Sequence, residues 1–389
     1  MSVEAMAAKA AVGVAMEAFN IFWHGMKPKF GKDGKEIIDI ILENSNEIPI
    51  NILMVGGRRC GKTTVLSAIY EKANDFFGNG SLVINTPSIS QTQKLTKKLA
   101  DIKSYFESGE QLFSPDDSPT QDWEQYTFDV KIKNKKGNLA LNFIDVNGEW
   151  FAKGEYQEKI KDLIQTSNIL IVAIDTPHLM EENGKYNEGK NYTFLINSFI
   201  KDKVEFDVDK KGNTKRKRMG LFVPLKCEKY KSEGRMDEVK NAVKKEYKQS
   251  FAYLGGENAT HCVVAITPIF TMGGVQFSQF EFDENNEIKT IPSFSADFPI
   301  PEKAIYRKKD IMQKEPNFDY CEQILLYVIV FMLENARAKK DSNSWFRNLL
   351  DLFFNMPSAQ DFLDQKDALK ADIKRNGDGY EIVNNPMGI

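Results

Sequence analysis

The chain has 389 residues, 42% of them hydrophobic and 28% charged, with a formal net charge of −3. That composition belongs to a globular protein with a real core, and it leaves no global basic field that would make nucleic acid the main partner. Cys60, Cys227, Cys262 and Cys321 form no C-x-x-C pair, and three histidines complete no zinc pattern with them, so the thiols read as reduced and the protein as cytoplasmic.

Residues 1–48 read as a helical N-terminal extension, because Ala5, Ala8, Val12, Met16 and Phe19 recur at helical spacing. Such a helix either docks on the following domain or meets a partner or membrane surface. Glu4, Lys9 and Glu17 interrupt it, and no basic segment leads into a clean apolar stretch, so no secretory signal is expected. No segment offers the about 20 apolar residues of a membrane span.

The apolar strand at 50–55 runs into Gly56-Gly57-Arg58-Arg59-Cys60-Gly61-Lys62-Thr63-Thr64 and then a helix start at Val65. The loop matches G-x-x-x-x-G-K-[ST]. Its glycines let the backbone curl so that the amides from Gly56 through Arg59, Cys60 and Gly61 to Thr64 surround a phosphate. The helix behind it turns its positive end to the same anion. Lys62 is expected to reach the β- and γ-phosphates, and the Thr63 hydroxyl to bind Mg²⁺.

A polar helix over about 91–106 follows, and then a turn-rich loop at 114–120. Residues 126–132 alternate like a half-buried strand, 134–138 form a turn, and 139–144 form a more buried strand. This antiparallel hairpin ends in Asp145-Val146-Asn147-Gly148, a D-x-x-G placed at a strand's C-terminal end, where α/β folds put ligand-binding groups. Asp145 is expected to hold Mg²⁺ directly or through water, and the Gly148 amide to contact the γ-phosphate. Thr120, just before the hairpin, is the favoured second hydroxyl for Mg²⁺, with Thr86 competing; either also suits an ordinary turn or cap.

After a helix at about 157–166, the continuous apolar run 168–175 reads as a central parallel strand. A polar stretch from 179 holds a helix near 193–200 and ends in the basic run 210–218, read as a solvated loop or as a contact for phosphate or anionic lipid. The strand at 219–225 leads to Lys226-Cys227-Glu228. A lysine can lie over a purine face, and a carboxylate can accept two N–H bonds from guanine that adenine does not offer. A charged helix (236–251), a core strand (262–266) ending in Thr267, a second hairpin (276–282 with 287–291) and a closing helix (320–336) complete the domain. The apolar stripe between Trp345 and Phe354 packs on the domain or meets a protein or membrane; the tail is helical and then disordered near Pro386.

Phosphate loop, hairpin, D-x-x-G, K-x-E and the strand-end Thr267, in this order, resemble a TRAFAC-class GTPase domain. Arg58-Arg59 within the loop, the Pro119-Thr120 pair before the hairpin and Gly148-Glu149 resemble the bacterial double-GTPase group in particular. The resemblance covers about 48–338 at the level of motifs. It implies a Ras-like three-layer P-loop sandwich, a mostly parallel sheet with one antiparallel hairpin strand, and insertions at about 179–218 and 270–315. The helical extension 1–48 and the helical or flexible tail 339–389 would flank a domain at 49–338. It further implies GTP/GDP and Mg²⁺ as ligands, with Lys62 and Thr63 on phosphate and metal, Asp145 and Gly148 in a switch, and Lys226, Glu228 and Thr267 at the base. Members are bacterial and often serve conflict or signalling systems, so a protein partner or homo-oligomer is expected. The chain departs from the pattern in three ways. Leu225 and Glu228 replace the usual residues around the base-reading lysine. Glu149 stands where Ras-like proteins orient water with Gln, and Arg58 stands where they have Gly. Arg58 could stabilise transition-state charge or face a partner. Slow GTP hydrolysis coupled to a conformational switch is the leading expectation; an ATPase on the same fold and a nucleotide-binding scaffold without turnover are the alternatives.

Overall fold

The computed structural model describes residues 50–78, 82–86, 88–108, 112–113, 123–132, 139–204, 217–282, 289–292, 297–310, 312–313, 315–338 and 366–389. The expected N-terminal extension, Thr120, most of the basic run (210–216) and the apolar stripe between Trp345 and Phe354 lie outside these residues.

The first half of the chain contains β1 (Ile50–Val55), α1 (Lys62–Gly78), β2 (Leu82–Asn85), α2 (Ile89–Glu107), β3 (Leu112–Phe113), β4 (Glu124–Ile132), β5 (Leu139–Asp145), α3 (Gly154–Thr166) and β6 (Ile169–Asp175). Short helices α4 (Thr176–Met180) and α5 (Asn187–Asn191) precede α6 (Thr193–Lys203). Then come β7 (Arg218–Leu225), α7 (Glu228–Ser232), α8 (Met236–Glu246), α9 (Lys248–Phe251), β8 (Cys262–Ile266), β9 (Phe270–Gly273), β10 (Val275–Glu281), β11 (Lys289–Pro292), β12 (Asp297–Ile300), β13 (Lys303–Lys308), β14 (Asn317–Asp319), α10 (Gln323–Ala338), β15 (Asn376–Gly377) and β16 (Tyr380–Asn384).

The main sheet has the order β15-β16-β8-β7-β6-β1-β5-β4-β2. Strands β5, β1, β6, β7 and β8 run parallel, and β6 is buried along its whole length, as its unbroken apolar sequence requires. Alternate residues feed the two faces. Ile52, Met54, Ile171 and Leu221 pack with the 324–331 stretch of α10 on one side. Leu53, Val55, Val172 and Phe222 pack with α3, α6 and Tyr247 on the other. The C-terminal ends of the parallel strands, where Val55, Asp145, Asp175 and Leu225 lie, are thereby gathered along one edge of a rigid, two-sided core.

Four expectations are corrected. Antiparallel strands occupy both margins of the sheet, since β2 and β4 continue it beyond β5, and β16 and β15 beyond β8; the single hairpin strand was too few. The tail does not end in disorder: Tyr380 is buried, Glu381–Asn384 pair with Val264–Ile266, and the Asn385 amide bonds the Ile389 carbonyl. The second hairpin is wired differently. β10 pairs with β13, and β11 pairs with β12, so a three-stranded sheet β10-β13-β3 stands beside the main one. The charged helix breaks after Glu246 into α8, α9 and a wide turn over Ala252–Glu257 that holds Gly255 and Gly256.

Candidate nucleotide site at the strand ends

The 56–61 loop leaves the end of β1 and turns directly into α1, with the Val65 amide already bonded to the Gly61 carbonyl at 2.9 Å. Gly56 has φ +150°, and a Cβ there would lie 2.5 Å from the Ala173 carbonyl, so only glycine lets the loop cross β6 so closely. Arg59 is left-handed at φ 58°, a conformation that costs a non-glycine residue energy. Cys60 and Thr64 are buried beneath the loop. The Lys62 ammonium curls back over the loop, donating to the carbonyls of Gly56 at 3.1 Å and Gly57 at 3.3 Å.

Asp145, at the end of β5, meets the start of α1. The Thr63 hydroxyl donates to its Oδ2 at 2.7 Å, and the Lys62 ammonium stands 3.9 Å from Oδ1. The side chain is 1% exposed, and Oδ1 has no hydrogen-bond partner. Burial pushes the Asp145 carboxyl above the usual range, while Lys62 and the Thr63 hydroxyl pull it back. An unsatisfied buried carboxylate oxygen beside a threonine hydroxyl is the hard-oxygen donor set that Mg²⁺ takes from a protein when phosphates and water supply its other ligands. Among the described residues no cluster of three His, Cys, Asp or Glu side chains could hold a metal by itself. These residues fit Mg²⁺ held jointly with a phosphate.

Beyond Asp145, the Asn147 side chain accepts from the Glu149 amide at 2.9 Å and caps a short turn over Gly148–Phe151. Gly148 rests on the loop so tightly that a Cβ would lie 2.1 Å from the Arg58 amide nitrogen. Glu149 pairs with Arg58 at 2.5 Å, with Lys153 at 3.8 Å on its far side. A carboxylate this close to the loop is thus matched by a guanidinium from the loop itself. Thr86, the alternative switch threonine, has its hydroxyl against that of Thr92 in the first turn of α2.

The base-reading candidates sit at the ends of β7 and β8. Lys226 is left-handed at φ 60° and donates to the Arg59 carbonyl at 2.8 Å and to Asp175 Oδ2 at 2.7 Å. Glu228, at the first turn of α7, and Thr267, just past β8, are both buried, and the Thr267 hydroxyl has no partner. The structure thus places Lys62, Thr63, Asp145, Gly148, Glu149, Arg58 and Lys226 around one loop; Glu228 and Thr267 occupy the neighbouring strand ends.

Asp175 was not singled out in the sequence, and it organises this end of the site. Its Oδ1 lies 2.6 Å from His178 Nδ1, and its backbone is clamped by Asn191, whose amide bonds the Asp175 N–H and C=O at 2.7 and 3.1 Å. Burial works against the Asp175 charge, but Lys226 and His178 outweigh it and hold the carboxyl well below its usual range. Burial pushes His178 down, against the pull of Asp175. Lys190, from α5, brings a further buried ammonium to the same region, and burial lowers it to about 8. The sequence signal for Asp175 was the one used for Asp145: an acidic residue at the C-terminal end of an apolar strand.

No family model matches the chain, and no curated protein matches it. Among solved structures it is similar to the GTPase-like domain of S. cerevisiae Ski7 bound to GTP, with 14% identity and a TM-score of 0.34, covering 61% of this chain and 45% of that one. The same Ski7 domain bound to GDP and inorganic phosphate gives 13% identity and a TM-score of 0.34, over 65% and 48% of the two chains. The Arl6 BBS3 small GTPase of Trypanosoma brucei with the nucleotide analogue GppNp gives 11% identity and a TM-score of 0.29, over 58% of this chain and 88% of that one. This chain spans less than half of the Ski7 chains it matches. Likenesses of this size establish no shared activity; function has to be argued from the side-chain geometry of the site.

Proposed function

We propose that the chain binds a guanine nucleotide with Mg²⁺ and hydrolyses GTP slowly, as a nucleotide-dependent switch. One observation carries the reading: Lys62, the Thr63 hydroxyl and the unsatisfied Oδ1 of Asp145 meet at the mouth of a loop built to surround phosphate. Bound Mg²⁺ would supply charge neutralisation to the nucleotide's phosphates. Lys62 and the loop amides stabilise the negative charge that develops in transfer. Thr63 and Asp145 hold the metal side of the site. Gly148, packed on Arg58, is the element whose position changes with the γ-phosphate. Lys226, Glu228 and Thr267 face the nucleoside.

Glu149 and Arg58 hold one another, so neither orients an attacking water in this arrangement. That pair favours slow intrinsic turnover that rises with a protein partner or a second copy, and it equally supports a second reading, a nucleotide-binding scaffold with no turnover. A cytoplasmic bacterial setting, a domain spanning about 49–338 and peripheral membrane contact by the terminal segments belong to the same proposal. Among the described residues no helix is long and apolar enough to cross a membrane.

Calorimetric titration of nucleotide-free protein with GDP, GMPPNP and ADP in Mg²⁺, beside Lys62→Ala, tests the proposal. Guanine-selective binding that the substitution abolishes is the expected result. Preference for ADP assigns the fold to an ATPase, and no binding to any of the three overturns the reading. Single-turnover hydrolysis of GTP separates the switch from the scaffold.

A further inference from the structure

Glu124 opens β4 directly opposite Asp145, the residue that closes β5. Residues facing each other across an antiparallel pair point to the same side of the sheet. On β4 that side carries Tyr126 and Phe128, on β5 it carries Phe143 and Leu141, and all four pack with Val65 and Leu66 of α1. Glu124 therefore stands on the face that presents Asp145 to Thr63.

Helix α2 reaches the same spot. Gln91, in its first turn, donates to the Gln125 carbonyl at 3.0 Å and accepts from the Thr127 amide at 3.1 Å, which fastens the helix to the start of β4. One turn further on, the Lys94 ammonium donates to Glu124 Oε1 at 2.7 Å, and from β4 itself the Tyr126 hydroxyl donates to Oε2 at 2.5 Å. The side chains of Lys94 and Glu124 are 54% and 34% exposed, and an ion pair so open to water adds little to stability.

Like charges directly opposite in a ladder work against folding. Here one of the two carboxylates is buried, and its Oδ1 has no hydrogen-bond partner. Burial is the largest influence raising the Asp145 carboxyl, Lys62 and Thr63 oppose it, and the Glu124 charge adds to the rise. Lys94 answers Glu124 and leaves Asp145 Oδ1 open. Two facing carboxylates with one unsatisfied oxygen suit a cation better than they suit the fold.

We propose that Glu124 is a positioning residue of the metal side of the site, its carboxylate adding a second negative charge beside Asp145 that tightens the hold on a divalent cation, while Lys94 tempers that charge. The assignment rests on the reading of a nucleotide held with Mg²⁺ given above. It gives α2 a role, which is to carry the tempering cation to the strand end.

The test is a Mn²⁺ titration of the GDP complex of wild type, Glu124→Gln and Lys94→Ala, with free Mn²⁺ followed by its electron paramagnetic resonance signal. Glu124→Gln is expected to weaken Mn²⁺ about tenfold, the low end of what loss of an outer-shell partner costs. Lys94→Ala is expected to tighten it several-fold. A role confined to fastening α2 on β4 would move both variants the same way, because each breaks the same ion pair. Lys94 is exposed, so its variant carries the test even where Glu124→Gln does not fold. An unchanged Mn²⁺ affinity in Lys94→Ala or in folded Glu124→Gln, or a shift of both variants in one direction, overturns the Glu124 assignment alone. Failure of the wild type to bind GDP, or of its GDP complex to bind Mn²⁺, overturns the reading of a nucleotide held with Mg²⁺ and this assignment with it.

Discussion

Lys226 joins two parts of the fold that are far apart in sequence: its ammonium binds the Asp175 carboxylate at 2.7 Å and the Arg59 carbonyl at 2.8 Å. The phosphate loop, the end of β6 and the end of β7 are tied at a single buried cation. Asp175 acts on the site by positioning, since it fixes Lys226, and Lys226 fixes the strained Arg59 turn.

Asp175→Asn leaves Lys226 buried with no countercharge, and the expected loss of stability is about 3–5 kcal/mol. The pH dependence has a definite sign. The folded-state pKa of Asp175 is depressed, so its contribution is complete above the unfolded carboxylate range near pH 4 and fades as pH falls through the lower folded value. Chemical denaturation between pH 3 and 7 should show a wild-type stability that declines in acid and a variant lower throughout with a shallower slope.

Lys190 predicts an alkaline trend of its own. Burial brings it to about 8 in the folded chain from an ordinary 10.5. Between those values the unfolded chain binds the extra proton, so stability rises with pH from about 8 to 10. Lys190→Met removes that slope and raises stability at pH 7 by up to about 3 kcal/mol. Unfolding midpoints of both proteins at pH 7 and 9.5 check it; parallel slopes would show that Lys190 does not titrate in this window.

The metal is testable by removal. On the proposed reading Thr63 Oγ1 and Asp145 Oδ1 are the protein's oxygen donors to Mg²⁺, and EDTA should weaken nucleotide binding by the wild type. Thr63→Ala and Asp145→Asn should bind weakly with or without Mg²⁺. Asp145→Asn also relieves the cost of a buried, partly unsatisfied carboxylate, so its melting temperature should not fall with its affinity.

Much of the site could be read from local sequence because it is built from short segments whose pattern and position agree. The unbroken apolar run ending at Asp175 became a central parallel strand, and the hairpin ending at Asp145 delivered that carboxylate to Thr63. The relationships that could not be read are non-local. Asp175 and Lys226 are 51 positions apart, and no motif announces their pairing. β10 passes over the nearer β11 to pair with β13, a pairing that no local pattern marks. Arg218 looked like the last residue of a solvated basic run. Instead it is buried and donates to the carbonyls of Ile164, Gln165 and Ser167, closing the end of α3. The C-terminal strand is five residues long after a polar stretch, and only β8 beside it shows that it belongs to the sheet.

The pairing of Arg58 with Glu149 bears on rate more than on stability. Their side chains are 39% and 30% exposed, so the 2.5 Å ion pair is worth less than about 1 kcal/mol and breaking it should barely move the melting temperature. For hydrolysis the two residues should act in opposite directions. Arg58 is the loop cation that pairs with the Gly148 turn through Glu149, and Arg58→Ala should slow single-turnover GTP hydrolysis by on the order of 1,000-fold, the low end of what loss of a transition-state arginine costs. Glu149→Ala frees Arg58 from its partner and should raise the rate several-fold with nucleotide affinity little changed. The double variant should behave like Arg58→Ala, because Glu149 acts only through Arg58. If Arg58→Ala hydrolyses at the wild-type rate while Glu149→Ala is slowed, the carboxylate and not the guanidinium serves the reaction, and Arg58 is left as its tether.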